Sequence, residues 1–180
     1  QGVQFVAATE EQQQAYTKGQ FGDILANANE KVLVAPDPFF SIVIPKIGAA
    51  SKIIPNVDPI NENQYTTALK NGGAHARGTV FPGLIGTTYL FAHSTDSFWN
   101  VGRYNAVFYL LKDLAIGDDI HLFFQDHRYN YKVDEVKIVE PDEVHLLTQA
   151  QQSEEQLVLQ TCWPPGTTWK RLVVIAKPPQ

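Results

Sequence analysis

Hydrophobic and polar positions follow two rhythms along the chain, and the rhythm changes near residue 37. Residues 1–36 are rich in Ala, Gln, Glu and Asn, and "TEEQQQAYTKGQFGDILANANEKVL" reads as helix with a break at Gly19 or Gly22. Thr9 stands where an N-cap would, ahead of Glu10 and Glu11. "APDPFF" then punctuates the chain with two prolines. Beyond it, short runs of Val, Ile, Phe and Tyr alternate with clusters of Gly, Pro, Asn and Asp, the pattern of a sandwich or barrel. Strands are predicted at 40–47, 51–54, 78–81, 87–92, 118–125, 129–139, 157–162 and 171–177. Pro45 makes the first an edge strand or interrupts it. "FFQDHRYNYKV" predicts a hairpin turning at Asp126–His127. Two short helices are expected. One covers 61–70 and is closed by Asn71-Gly72; the other, over 105–113, carries Val107, Leu110, Leu111 and Leu114 at helical spacing.

Composition narrows this picture. A chain of 180 residues with 44% hydrophobic content can bury a core without staples. It reads as one domain, 38–180, with an N-terminal helical appendage or stalk over 1–37. The net charge of −5, with Lys and Arg scattered, argues against nucleic acid and against anionic lipid as partners. No run approaches the ~20 apolar residues that span a bilayer, and signal-peptide features are absent. The chain starts at Gln1 and holds no methionine, so it reads as trimmed, which leaves room for a leader or anchor outside it.

The candidate chemistry centres on "LVLQTCWPPGTTWKR", which contains the single cysteine, Cys162. A lone cysteine is more often a small buried hydrophobe than a nucleophile. Three features oppose that reading here. "LVL" is a buried-strand run, Gln160 and Thr161 turn polar at its exit, and "WPPG" reverses the chain so that the thiol sits at a rim. Arg171, nine positions on, opens the return strand beside Cys162, where a fork of donors suits an oxyanion and favours the thiolate. Of the five histidines, His93 in "TTYLFAHSTDSF" also ends an apolar run. His121 reads as a polar strand face, His127 as a solvated turn, His145 as part of a long connection and His75 as a structural or rim residue in a Gly-rich loop. There is no phosphate-binding glycine loop, and a single cysteine excludes the Cys-rich zinc sites. No cofactor is implied. Glu140, Asp142 and Glu143 could hold calcium, but such loops are more often simply solvated.

In this order, "FSIVIPKIGAASKI", "NVDPIN", "YTTALKNGGAHARGTVFPG", "GTTYLFAHS", "LVLQTC" and Arg171 resemble the sortases, bacterial cysteine transpeptidases, over roughly 38–177. The family's T-L-x-T-C appears as Val158-Leu159-Gln160-Thr161-Cys162, with valine for the first threonine. The resemblance implies an all-β fold, a closed eight-stranded barrel with short helices. It implies anchorage on the extracellular face of the bacterial membrane by a segment outside this chain. It further implies that Cys162 attacks an LPxTG-like C-terminal sorting signal of a surface protein, that His93 moves the protons, and that Arg171 holds substrate and oxyanion. Thr161 is implicated in the same stabilisation. A thioacyl-enzyme would pass to an amine on a peptidoglycan precursor or a pilin lysine. Substrate walls are expected from the Pro141–Gln156 connection (Val144, Leu146, Leu147) and from the turn bearing Trp163 and Trp169. "DPF" at 37–39 matches the tip of the lid in pilus-building relatives, but it abuts the first strand and is read as a boundary turn. Two other readings stand beside this one: a cysteine hydrolase on the same scaffold, and a surface barrel whose thiol only packs.

Overall fold

The structure is a computed structural model and describes residues 33–94, 108–143 and 154–179. The helical appendage expected over 1–37 falls outside these residues except at its last few positions. Among the described residues there are eight strands: β1 (Phe40–Ile44), β2 (Ala49–Val57), β3 (Gly73–Ala76), β4 (Gly86–Phe91), β5 (Asp119–Phe124), β6 (His127–Val139), β7 (Glu155–Trp163) and β8 (Lys170–Lys177). They close into a barrel in the order β1-β2-β3-β4-β7-β8-β6-β5. Closure leaves no open edge among the described strands. Two neighbour pairs, β2–β3 and β4–β7, are parallel. The rest are antiparallel.

Side-chain alternation builds two apolar layers. Leu157 and Leu159 of β7 point inward with Leu90, Leu172, Val174, Ile42 and Ile44 to fill the barrel. Their neighbours Val158, Val173 and Ile175 face outward, joined by Tyr89 and Phe91 of β4 and by Ala68 and Leu69. The last two belong to α1 (Glu62–Leu69), which lies outside the wall and is capped by Asn61, whose Oδ1 accepts the Gln64 N–H at 3.1 Å. Both faces of β4, β7 and β8 are therefore covered. That is why their sequences run apolar without alternating.

Several predicted boundaries move. β1 stops at Ile44, and Pro45–Ile47 form a 3₁₀ turn, because proline has no N–H to give the ladder. The strand expected at 78–81 is absent; those residues form a turn, and the strand lies earlier, at Gly73–Ala76. "GAHA" was hidden as a strand because its small residues serve close approach. A Cβ on Gly72, at φ +152°, would stand 2.3 Å from the Lys52 carbonyl oxygen. The hairpin turns at Gln125–Asp126, both at positive φ, one residue earlier than expected. His127 accordingly starts β6. The helix expected over 105–113 is a 3₁₀ turn at Tyr109–Asp113, and 105–107 lie outside the described residues.

Candidate active site

The parallel pairing of β4 with β7 does most to assemble the site. Phe91 lies opposite Gln160 in the last pair of this ladder, and His93 follows Phe91 by two residues as Cys162 follows Gln160. The segment beyond β4 is tied to β7 at that point. The Ala92 N–H donates to the Gln160 carbonyl at 3.2 Å, and the Thr161 hydroxyl donates to the Ala92 carbonyl at 3.1 Å. From the other side, β8 pairs with β7 in a register that sets Cys162 directly opposite Arg171. The turn between them is bonded within itself by Thr167 to the Pro164 carbonyl, at 3.0 Å from N–H and 2.8 Å from Oγ1. It is bonded to the histidine segment by the Gly166 N–H to Ser94 Oγ, at 3.3 Å.

His93, Cys162 and Arg171 line one cleft of about 1010 Å³. The parity of β7 and β8 puts this cleft on the outer face of the barrel wall, since Cys162 shares its side with Val158, and Arg171 with Val173. Its floor carries Tyr89, Phe91 and Gln160, and a longer arm runs past Tyr65 and Val80 to the exposed Ile60 and Ile85. Cys162 is a half-buried free thiol, and His93 is half-buried too. The Nη1 of Arg171 donates to the Thr168 and Lys170 carbonyls, each at 3.0 Å, which leaves Nε and Nη2 as donors. Arg171 forms no salt bridge among the described residues. Burial pushes the Tyr89 phenol far above its ordinary pKa, while the positive charge of Arg171 pulls the other way. A thiol, an imidazole and an unneutralised guanidinium facing one cleft make a set suited to nucleophilic attack on a carbonyl.

The other candidates are placed differently. Thr161 is buried behind the cleft, its single proton committed to Ala92. Trp163 and Trp169 do not line the cleft; with Ile138, Pro164 and Lys170 they border a separate pocket of about 450 Å³. Val144, Leu146 and Leu147 lie outside the described residues, although Pro141 and Thr168, from the two expected walls, do line the cleft. Gln160 and Tyr89 were missed as site residues. The signal was available: on an apolar strand, a polar residue two before the cysteine shares its face. Asp37-Pro38-Phe39 stays away from the cleft. Asp37 Oδ1 accepts the Phe39 and Phe40 N–H groups at 2.8 and 3.1 Å, and Oδ2 pairs with Lys52 at 3.1 Å. Burial raises the Asp37 pKa, but these donors outweigh it and the net shift is downward. The Pro38 and Phe39 carbonyls accept N–H groups from the β5–β6 turn, which makes the triplet a pinned boundary turn.

Comparison with known proteins points to one family. Residues 42–179 match the family described as the Sortase domain. Sortase D of Bacillus subtilis (strain 168) is 28% identical over 141 residues, 74% of this chain and 66% of that protein. The chain thus spans just under two thirds of that relative. Sortase A from Corynebacterium diphtheriae superposes with a TM-score of 0.66 at 27% identity, over 92% of this chain and 71% of that one. A Clostridium perfringens Sortase D5 transpeptidase gives 0.62 at 21% identity over 95% of each chain, a likeness of fold. With a family match across well over half its length, this chain belongs to the sortase family.

Proposed function

We propose that the chain is the catalytic domain of a cysteine transpeptidase acting on a C-terminal, LPxTG-like sorting signal. The thiolate of Cys162 attacks the carbonyl carbon of the scissile amide. The electron pair displaced onto oxygen is met by the N–H groups of Arg171 that its backbone bonds leave over. Collapse expels the amine, which takes a proton from His93, and a thioester to Cys162 remains. An incoming amine then gives a proton to His93, attacks the thioester and expels the Cys162 thiolate. Thr161 acts here through backbone: it holds Ala92, and so the start of the histidine segment, against β7. The acceptor is an amine of a cell-wall precursor or a pilin lysine, and the enzyme works on the outer face of the cell membrane.

The observation that carries this reading is one cleft lined by all three side chains, with Arg171 opposite Cys162 in the β7–β8 register and His93 two residues past the last β4–β7 pair. A quenched sorting peptide incubated with and without oligoglycine tests it. Amine-dependent ligation is expected. Cleavage that ignores the amine would instead make the protein a hydrolase, and no turnover across a panel of sorting peptides would leave a barrel whose thiol only packs.

A further inference from the structure

Gln160 stands two residues before Cys162 on the same face of β7, about 7 Å away along the strand, and both line the cleft. Its side chain is held. The hydroxyl of Tyr89, which reaches across from β4, donates to Gln160 Oε1. Tyr89 is itself buried, so its ring cannot swing away without opening the outer apolar layer. An amide is planar. With Oε1 fixed on Tyr89, Nε2 is turned away from it and presents two N–H donors, which make no hydrogen bond among the described residues. The positive charge of Arg171 reaches the Tyr89 phenol, so amide, phenol and guanidinium form one polar strip beside the thiol. The longer arm of the cleft, toward Val80 and Ile85, lies on the Gln160 side of Cys162.

We propose that Gln160 reads the substrate backbone. Its Nε2–H₂ donates to a main-chain carbonyl of an extended peptide on the acyl side of the cut, about two residues from the scissile bond. Tyr89 is the positioning residue that sets the amide. The inference rests on the transpeptidase reading only for which half of the peptide is held. An acyl-enzyme keeps its acyl half bound until an amine arrives, so the longer arm is the one to grip it. Selection by backbone donor also leaves the side chain of that residue free to vary. Glutamate at 160 would set a carboxylate against a carbonyl oxygen, and leucine would remove the donor altogether.

Steady-state kinetics with a sorting peptide and with an analogue provide the test. In the analogue an E-alkene replaces the amide two residues on the acyl side of the cut. Gln160→Leu should raise KM roughly tenfold, the worth of one well-made hydrogen bond, with kcat within about twofold. Tyr89→Phe should raise KM by about three- to fivefold alone and by nothing further in the Gln160→Leu background. The alkene should weaken the wild-type enzyme roughly tenfold and leave Gln160→Leu unaffected. Equal alkene penalties in both enzymes, additive Tyr89 and Gln160 effects, or an unchanged KM in Gln160→Leu would each overturn the proposal while transpeptidation stood. Calorimetric titration of the same peptides into Cys162→Ala separates the two readings. Gln160-dependent binding without turnover by the wild type would sink the chemistry and keep the reader. No peptide binding at all would sink both.

Discussion

At the scale of single residues, one buried side-chain group among the described residues is not satisfied by its surroundings. Thr88 projects into the interior from β4, fully buried, and its hydroxyl has no hydrogen-bond partner among the described residues. A buried hydroxyl without a partner costs about 1–3 kcal/mol. Thr88→Val keeps the shape and removes the group, so the variant should be more stable by about 1 kcal/mol. Urea unfolding checks this, and a loss of stability would mean that the hydroxyl is satisfied by water. The residues that make the candidate site were legible to very different degrees. Cys162, His93 and Arg171 each end or begin an apolar run, so strand periodicity placed each at a strand end, and the resemblance to sortases joined the three in one site. Trp163 was harder, because strand parity turns it to the face opposite Cys162 and packs it against the interior. Trp169 is 73% exposed on the turn. Adjacency in sequence to a nucleophile says nothing of which face a side chain shares with it.

Between elements, the β4–β7 junction governs the site. Two parallel strands end together, and a side-chain bond from Thr161 to the Ala92 carbonyl closes their seam beyond the last ladder pair. Thr161→Val removes that bond, leaves the carbonyl buried and unpaired, and frees the chain that leads to His93. A stability loss of about 1–2 kcal/mol is expected, read as a fall in Tm of roughly 2–8 °C. A tenfold fall in kcat, about 1.4 kcal/mol in the barrier, should accompany it, with KM little changed. Thermal unfolding and peptide kinetics together decide the matter; full activity in a destabilised variant would show that the seam does not position the histidine. Pairing of this kind was not legible in the chain. Nothing in "TTYLFA" and "LVLQTC" says that they are neighbours, since a long connection separates them. β3 was misplaced for a related reason: "GAHA" has no β-branched side chain and only one large one, His75, and pairing with β2 and β4 makes it a strand.

The whole molecule is coupled to pH through a histidine that the proposed chemistry does not use. His75 on β3 is fully buried, with its ring stacked on Phe81 at 4.5 Å between centroids. Its Nδ1 accepts the Asn56 N–H at 3.3 Å, which puts the proton on Nε2, facing the Val80 carbonyl at 3.1 Å and Thr79 Oγ1 at 3.0 Å. Burial lowers its pKa from the ordinary 6.5 and outweighs the Val80 carbonyl, which favours the charged form. The unfolded chain therefore takes up a proton at a higher pH than the folded one. Stability is fully present above about pH 6.5 and declines as the pH falls toward the folded value, by at most about 1.4 kcal/mol per pH unit from this group. Urea unfolding at pH 7.5 and 5.5 should show a steeper loss in the wild type than in His75→Gln, and parallel losses would remove His75 as the cause.

The barrel, its cleft and its registers matter to function only if the thiol carries the acyl group. Intact-protein mass spectrometry of a mixture with a sorting peptide, quenched in acid within the first turnovers, tests this most directly. A mass increase equal to the acyl half of the peptide is expected, mapped to Cys162, discharged by oligoglycine and greatly reduced in Arg171→Ala. A peptide cleaved with no adduct on Cys162, or cleaved equally well by Cys162→Ala, would contradict it.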